Sequence, residues 1–239
     1  EKAVGQNSVG LNILVVEDNQ INRFVVREML VKMGHKVTEA TNGQIAVDLA
    51  QAQAFDLILM DISMPVMDGR TATRAIRSGH GASAMTPIVA LTANAMAAEQ
   101  QAFLSDGMND ILTKPLSRES LISVIANQLW TDTQTKTNGD KAPAPVAQNY
   151  IDDLREGLGV VALQSLLDRF IAEVDETLDH LTTDTVLDLQ DVASRAHRIA
   201  GSAATMGAVD LRLALIEVEN AAKTKDRALT KTAIAALPP

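Results

Sequence analysis

The sequence contains no cysteine. That absence excludes a disulfide framework and any thiolate metal site, and it suits a reducing compartment. Aromatic residues are scarce at 3%, so aliphatic side chains and methionine must fill whatever cores exist; a hydrophobic share of 46% is enough for packed cores. Nowhere does an apolar run approach the length that spans a bilayer, so no membrane contact by this segment is expected. Positive charge is in deficit. A formal net charge of -9 repels phosphate backbones, which argues against direct nucleic-acid binding. The opening residues EKAVGQNSVG fit neither a signal peptide nor an initiator context. They are expected to be a cut inside a larger protein, with any membrane anchor elsewhere.

What is present is enough chain for two ordinary domains, at 239 residues. After a tail over residues 1–10, the first half alternates short apolar runs with amphipathic stretches. Leu11–Val16, Lys36–Ala40, Phe55–Met60, Pro87–Leu91 and Asn109–Thr113 read as strands. Between and after them, helices are expected from Asn19 to about Met33 and over Gly43–Gln53, Gly69–Arg77, Ala97–Ser105 and Ser117–Leu129. This alternation predicts an α/β doubly wound fold over residues 11–130, a five-stranded parallel sheet covered on both faces. Such sheets place chemistry at the carboxyl ends of their strands.

Residues 131–149 (TDTQTKTNGDKAPAPVAQN) are polar, proline-containing and aperiodic, as a linker is. Beyond them strand signals vanish. Leu154–Leu181, Val186–Met206 and Val209–Lys223 carry helical periodicity, and a short helix near Ala228–Ala236 follows. Short connections imply antiparallel neighbours, so residues 150–239 are expected to form an all-α up-down helical bundle.

Acidic residues at strand ends carry the chemistry of the first half. Strand one ends in Glu17-Asp18 and strand three in Asp61. In a parallel sheet these ends lie side by side, and such a cluster is costly unless a cation neutralises it. Oxygen ligands at this density suit Mg2+. Strands four and five deliver Thr92 and Lys114, a hydroxyl and an ammonium. Together they make a carboxylate nucleophile with donors for phosphoryl oxygens. Taken singly, Glu17-Asp18 reads equally well as a solvated helix start, Asp61 as a turn cap and Lys114 as surface; their joint placement favours a site. Met64, Pro65, Asp68 and Gly69 are assigned to loop geometry, and Asn19 to a helix cap.

Four motifs now stand in order at strand ends: VVEDN, ILMDISMPVMDG, ALTANAM and LTKPL. On them, residues 11–130 resemble a response-regulator receiver domain, with its flavodoxin-like fold. The resemblance implies Asp61 as phosphoacceptor. It implies Mg2+ held by Glu17, Asp18, Asp61 and the backbone carbonyl of Ser63. It gives Thr92 and Lys114 contact with the phosphoryl group, and a cis bond between Lys114 and Pro115. The family's usual aromatic, three residues before the lysine, is Ile111 here, which mutes its aromatic–threonine switch.

In the second half, AHRIAGSAATMGA (196–208) lies in a predicted helix. Val192, Ala196, Ile199, Ala203 and Met206 form one apolar stripe, which turns His197 toward solvent. Its neighbours at helical spacing are small: Ala193, Ala200, Gly201 and Ala204. They are expected to clear space for another molecule's surface. An imidazole with an ordinary pKa near ~6.5 is largely neutral and nucleophilic at cytoplasmic pH. His35 and His80 lie in loops, and His180 reads as a surface ion-pair partner beside Asp179.

This segment resembles a histidine-phosphotransfer (HPt) domain, with His197 as phosphoacceptor. The family's frequent lysine three residues after the histidine is Ala200 here, leaving Arg195 or Arg198 as sources of positive charge. A receiver followed by an HPt domain is the order at the C-terminal end of a tripartite hybrid sensor histidine kinase. The resemblance thus implies a phosphorelay. An upstream histidine kinase core of the same full-length protein donates to Asp61, and phospho-His197 passes the group to the receiver of a separate response regulator. No nucleotide-binding segment is recognisable, so whether this chain is itself an enzyme stays open. The location expected is cytoplasmic, the full-length protein anchored in the inner membrane or not. Two other classes compete. A phosphohydrolase with an aspartate nucleophile usually carries a second Asp two residues on, where this chain has Ser63; turnover of small phosphomonoesters would favour it. A scaffold with vestigial sites predicts no labelling at Asp61.

Overall fold

The structure is a computed structural model and describes residues 10–93, 97–129, 150–183 and 188–238. The expected linker over 131–149 lies outside the described residues, as does nearly all of the tail. The chain divides into two compact units, Glu1–Thr137 and Asn138–Pro239. Among the described residues no helix is long and apolar enough to cross a membrane.

In the first unit five strands and five helices alternate: β1 (Asn12–Val16), α1 (Gln20–Lys32), β2 (Lys36–Ala40), α2 (Gly43–Ala52), β3 (Leu57–Asp61), α3 (Gly69–Ser78), β4 (Ile88–Thr92), α4 (Ala97–Ser105), β5 (Asp110–Thr113) and α5 (Arg118–Leu129). All strands are parallel, in the order β2-β1-β3-β4-β5. The expected parallel sheet is therefore present. β3 and β4 are buried along their whole length, which is why LILMD and IVALT are almost uniformly apolar rather than alternating. Leu14, Val16, Ile58, Met60, Ile88 and Ala90 pack on one face with Ala46, Ala50, Ala72, Ile76 and Phe103 of α2, α3 and α4. The alternate residues Ile13, Val15, Leu57, Leu59, Val89 and Leu91 are equally buried, and by strand alternation they line the opposite face.

Short polar side chains cap the starts of α1, α2 and α3. Asn19 accepts from the amides of Ile21 and Asn22 (2.8 and 3.1 Å), Asn42 from Ile45, and Asp68 from Thr71. Each such cap ends the preceding loop and so sets where a strand end is left open. Gly69 opens α3 for a steric reason: a Cβ there would stand 2.1 Å from the carbonyl oxygen of Asp61.

The second unit is helical throughout its described residues: α6 (Tyr150–Leu158), α7 (Val160–Thr183), α8 (Leu189–Thr205), α9 (Val209–Lys223) and α10 (Arg227–Ala235). One expectation is corrected. Leu154–Leu181 is not a single helix, because Gly159 takes a left-handed φ of 79° and ends α6. α8 and α9 form an antiparallel hairpin through Met206–Ala208, where Gly207 is also left-handed at φ 71°. The core gathers Leu181, Val192, Ala196, Ile199, Ala200, Leu215, Val218, Ala222 and Ile234.

Candidate functional site

At the carboxyl end of the sheet, β1 and β3 are neighbours with Val16 opposite Met60, so the residues that follow each strand emerge side by side. This is where the strand order reverses, the place such sheets use for ligands. Glu17 is buried, Asp18 half-buried and Asp61 buried, and they offer carboxylate oxygens all within 4.8 Å of one another. Lys114 reaches across from the end of β5. Its Nζ lies 2.6 Å from Glu17 Oε2 and 2.9 Å from Asp61 Oδ2. Thr92, also buried, ends β4, one register step beyond the Asp61–Leu91 pair. The Lys114 amide donates to the carbonyl of Thr92 (2.8 Å), and the Ser63 amide donates to Asp61 Oδ1 (3.3 Å). The peptide bond between Lys114 and Pro115 is cis. The structure thus brings Glu17, Asp18, Asp61, Thr92 and Lys114 to one edge, with Ser63 two residues beyond Asp61.

Electrostatics follow from the burial. Loss of solvent pushes the Glu17 carboxyl up to about 7, nearby Asp61 adds to the push, and Lys114 and Asn22 oppose it. Burial alone would lower Lys114, but the Glu17 and Asp61 carboxylates hold its ammonium above the ordinary range. Three acids against one ammonium leave an excess of negative charge on hard oxygen donors. That donor set fits a divalent cation such as Mg2+ and does not fit a soft metal.

Two supporting residues were not anticipated from the sequence. Asn22 Nδ2 donates to Glu17 Oε1 (3.2 Å), and Arg23 Nη1 donates to the carbonyls of Glu17 and Asp18 (2.7 and 3.2 Å). Arg23 is itself held by Glu39 of β2 (3.2 Å). Both lie one turn into α1, where the spacing from Glu17 is the signal that a search for polar residues facing the strand end would use. Ile111 packs, half-buried, against the core of the sheet.

In the helical unit, Val192, Ala196, Ile199, Ala203 and Met206 are buried, and His197 stands beside that stripe with a side chain 42% exposed. The clear space expected around it is corrected. Ala200 and Ala204 are buried, and Ala200 belongs to the core with Leu215, Val218 and Ala222 of α9. Small residues here let α9 come close, and what α9 brings is Glu219. His197 Nδ1 lies 3.1 and 3.2 Å from the two Glu219 oxygens, and Lys223 Nζ lies 2.5 Å from Oε1 of the same carboxylate. Glu219 is buried; burial pushes its carboxyl up, but the hydrogen bonds from His197 and Lys223 outweigh this and hold it below the usual carboxylate range. A carboxylate accepts only, so Nδ1 is the donor in this contact.

The arginines considered as sources of charge are directed elsewhere, Arg195 to Asp191 (2.7 Å) and Arg198 to Glu173 (3.6 Å). His180 pairs with Asp191 of α8 (3.2 Å), across the contact between α7 and α8. His35 Nδ1 accepts from the Leu11 amide in the turn before β2.

Comparison with known proteins gives two family matches: the response regulator receiver domain over residues 13–126, and the Hpt domain over residues 165–238. The chain is similar to the sensor histidine kinase GacS of Pseudomonas protegens, 34% identical over 226 residues. That match covers 90% of this chain and 24% of the relative, so the chain spans about a quarter of that protein's length. It is also similar to the two-component response regulator ORR41 of Oryza sativa subsp. japonica, 44% identical over 120 residues, covering 48% of this chain and 92% of the rice protein. Among solved structures, the receiver domain of sensor histidine kinase PA1611 from Pseudomonas aeruginosa PAO1, with a magnesium ion coordinated in its active site cleft, is 41% identical, with a TM-score of 0.48, covering 52% of this chain and all of that one.

Proposed function

The chain belongs to the response regulator receiver family in its first half and carries an Hpt domain in its second, and from that premise we propose that Asp61 and His197 are successive stations of one phosphorelay. Receiver and Hpt domains of hybrid kinases mediate phosphorelay in two-component signalling. In this chain the receiver domain takes residues 11–130 and the HPt domain 150–239, joined by a linker over 131–149. The observation that carries the reading is the placement of Lys114 between Glu17 and Asp61 at the edge where the acids converge.

Asp61 attacks the phosphorus of an upstream phosphohistidine through a carboxylate oxygen, the N–P bond breaks, and its electron pair returns to the imidazole. Lys114 donates to the incoming phosphoryl oxygens, and so does the Thr92 hydroxyl. Glu17, Asp18, Asp61 and the Ser63 carbonyl would hold Mg2+, which when bound would neutralise the acids and those oxygens. Arg23 and Asn22 fix Glu17 and the backbone of Asp18, so those groups are already oriented.

His197 then attacks the acyl phosphate through Nε2. The Asp61 oxygen leaves with the bonding pair, and Glu219 stabilises the positive charge that develops on the ring while Nδ1 keeps its proton. The upstream donor is a histidine kinase core in the same full-length protein, the downstream acceptor is the receiver of a separate response regulator, and the segment works in the cytoplasm. The whole is the C-terminal end of a hybrid sensor histidine kinase.

The test is phosphotransfer from a kinase core to wild type, Asp61→Asn and His197→Gln chains. Label is expected on both residues of the wild type, on Asp61 alone in His197→Gln, and on neither in Asp61→Asn. Label reaching His197 in the Asp61→Asn chain would overturn the order.

A further inference from the structure

We propose that Lys223 is the cation that binds the phosphoryl group on His197, exchanging its bond to Glu219 for one to a phosphoryl oxygen. The inference rests on the reading of His197 as a phosphoacceptor. Phosphorylation at Nε2 puts close to two negative charges on a side chain that is 42% exposed. The helix that carries His197 offers no ready partner for them, since Arg195 is held by Asp191 and Arg198 by Glu173. Position 200, one turn on from His197, is a buried alanine.

Lys223 differs in place and in freedom. It lies at the end of α9, its side chain is 62% exposed, and its ammonium rests on Glu219 Oε1, the same oxygen that His197 Nδ1 meets at 3.1 Å. The ammonium is thus one side-chain swing from the imidazole. Its four-carbon stem can carry the charge around the ring edge without any backbone movement. The carboxylate does not lose its function when the ammonium leaves. The phosphorylated ring is formally cationic at Nδ1–H, so Glu219 keeps that proton as its partner. Before transfer, Glu219 serves both His197 and Lys223; after it, the ring proton stays with Glu219 and the ammonium moves to the phosphoryl oxygens. No bond to phosphorus forms or breaks in this exchange.

The 239-residue chain carrying Asp61→Asn, which removes any acceptor for back-transfer, is loaded on His197 with phosphoramidate and followed by 31P NMR. Lys223 is compared with Lys223→Met and Lys223→Arg. An ammonium beside the phosphoryl group lowers the pH at which it takes up its last proton. Lys223→Met is therefore expected to move that 31P midpoint upward and to shorten the phosphohistidine half-life about threefold, the size of an exposed ion pair. Lys223→Arg restores both. A lysine that only caps α9 would change thermal stability and leave the midpoint where it was. An unmoved midpoint and half-life in Lys223→Met, with His197 still labelled, overturns the proposal. Absence of label on His197 with Lys223 intact overturns the phosphoacceptor reading instead.

Discussion

His197 meets Glu219 through Nδ1 at 3.1 Å, across the α8–α9 interface and 22 residues apart in sequence. The contact favours a proton on Nδ1, because the carboxylate can only accept. On the proposed relay, a ring proton directed at this buried carboxylate would leave Nε2 as the attacking nitrogen and set a negative charge where the ring becomes positive.

Glu219→Gln keeps an acceptor for the Nδ1 proton but removes that charge. A charge-assisted hydrogen bond exceeds a neutral one by roughly 1 kcal/mol, so labelling of His197 by phosphoramidate is expected to slow about fivefold to tenfold. Glu219→Ala should slow it further and let the tautomers mix. 15N NMR of the imidazole reads the tautomer directly, and an unchanged Nδ1–H population in the alanine variant would show that the contact does not select it.

Lys114→Ala leaves Glu17 and Asp61, both buried, facing one another without a countercharge. Stripping one partner from a buried ion pair costs about 3 kcal/mol. Part of that loss should return on adding Mg2+, which supplies the missing charge to the same oxygens. Urea unfolding with and without the ion is the measurement. Equal losses in both conditions would mean the acids do not form one cation site.

Gly69→Ala places a methyl group 2.1 Å from the carbonyl oxygen of Asp61, which is backbone and cannot step aside. The first turn of α3 must shift, at about 1–3 kcal/mol. Asp61 is attached to the atom being pushed, so acetyl phosphate should label the variant more slowly as well as unfold it more easily. Native labelling together with native stability would refute this account of Gly69.

Glu219 also sets a pH dependence. Its carboxyl titrates below the ordinary value of 4.5 in the folded protein. The unfolded chain therefore binds the proton more tightly. The stabilisation is present above about 4.5 and is lost as the pH falls through the lower, folded value. Asp191, held low by Arg195 and His180 against the upward push of burial, adds in the same sense. Circular dichroism of helix melting between neutral and acid pH should fall more shallowly for Glu219→Gln than for wild type, and parallel curves would remove Glu219 as a source.

The sheet and its acid edge were legible because their signals are local. An apolar run ending in Glu17-Asp18 or in Asp61 states both the strand and its open end within a few residues. Lys114 and Thr92 needed only the strand order, and parallel topology supplied it. The histidine's partners were not legible in this way, since Glu219 and Lys223 belong to another helix and the sequence between them and His197 has no fixed spacing to read. One signal was available. Leu215, Val218 and Ala222 form the apolar stripe of α9, and Glu219 sits inside it at helical spacing, a buried acid that requires a partner. The break at Gly159 was missed because apolar periodicity runs on either side of it, and only a left-handed backbone reveals the stop.

The sheet does not hold the opposite charges of the aspartate site equally. Asp61 belongs to β3, paired on both sides and buried along its length, whereas Lys114 follows β5, a four-residue strand with one neighbour and partial exposure. Edge strands open at lower free energy than central ones. Opening of β5 would therefore withdraw the ammonium while leaving the carboxylates in place, and the pocket would then be more negative. The anionic half of the site is thus built into the sheet's centre and its one ammonium into the sheet's edge, and even with both in place the three acids outnumber it.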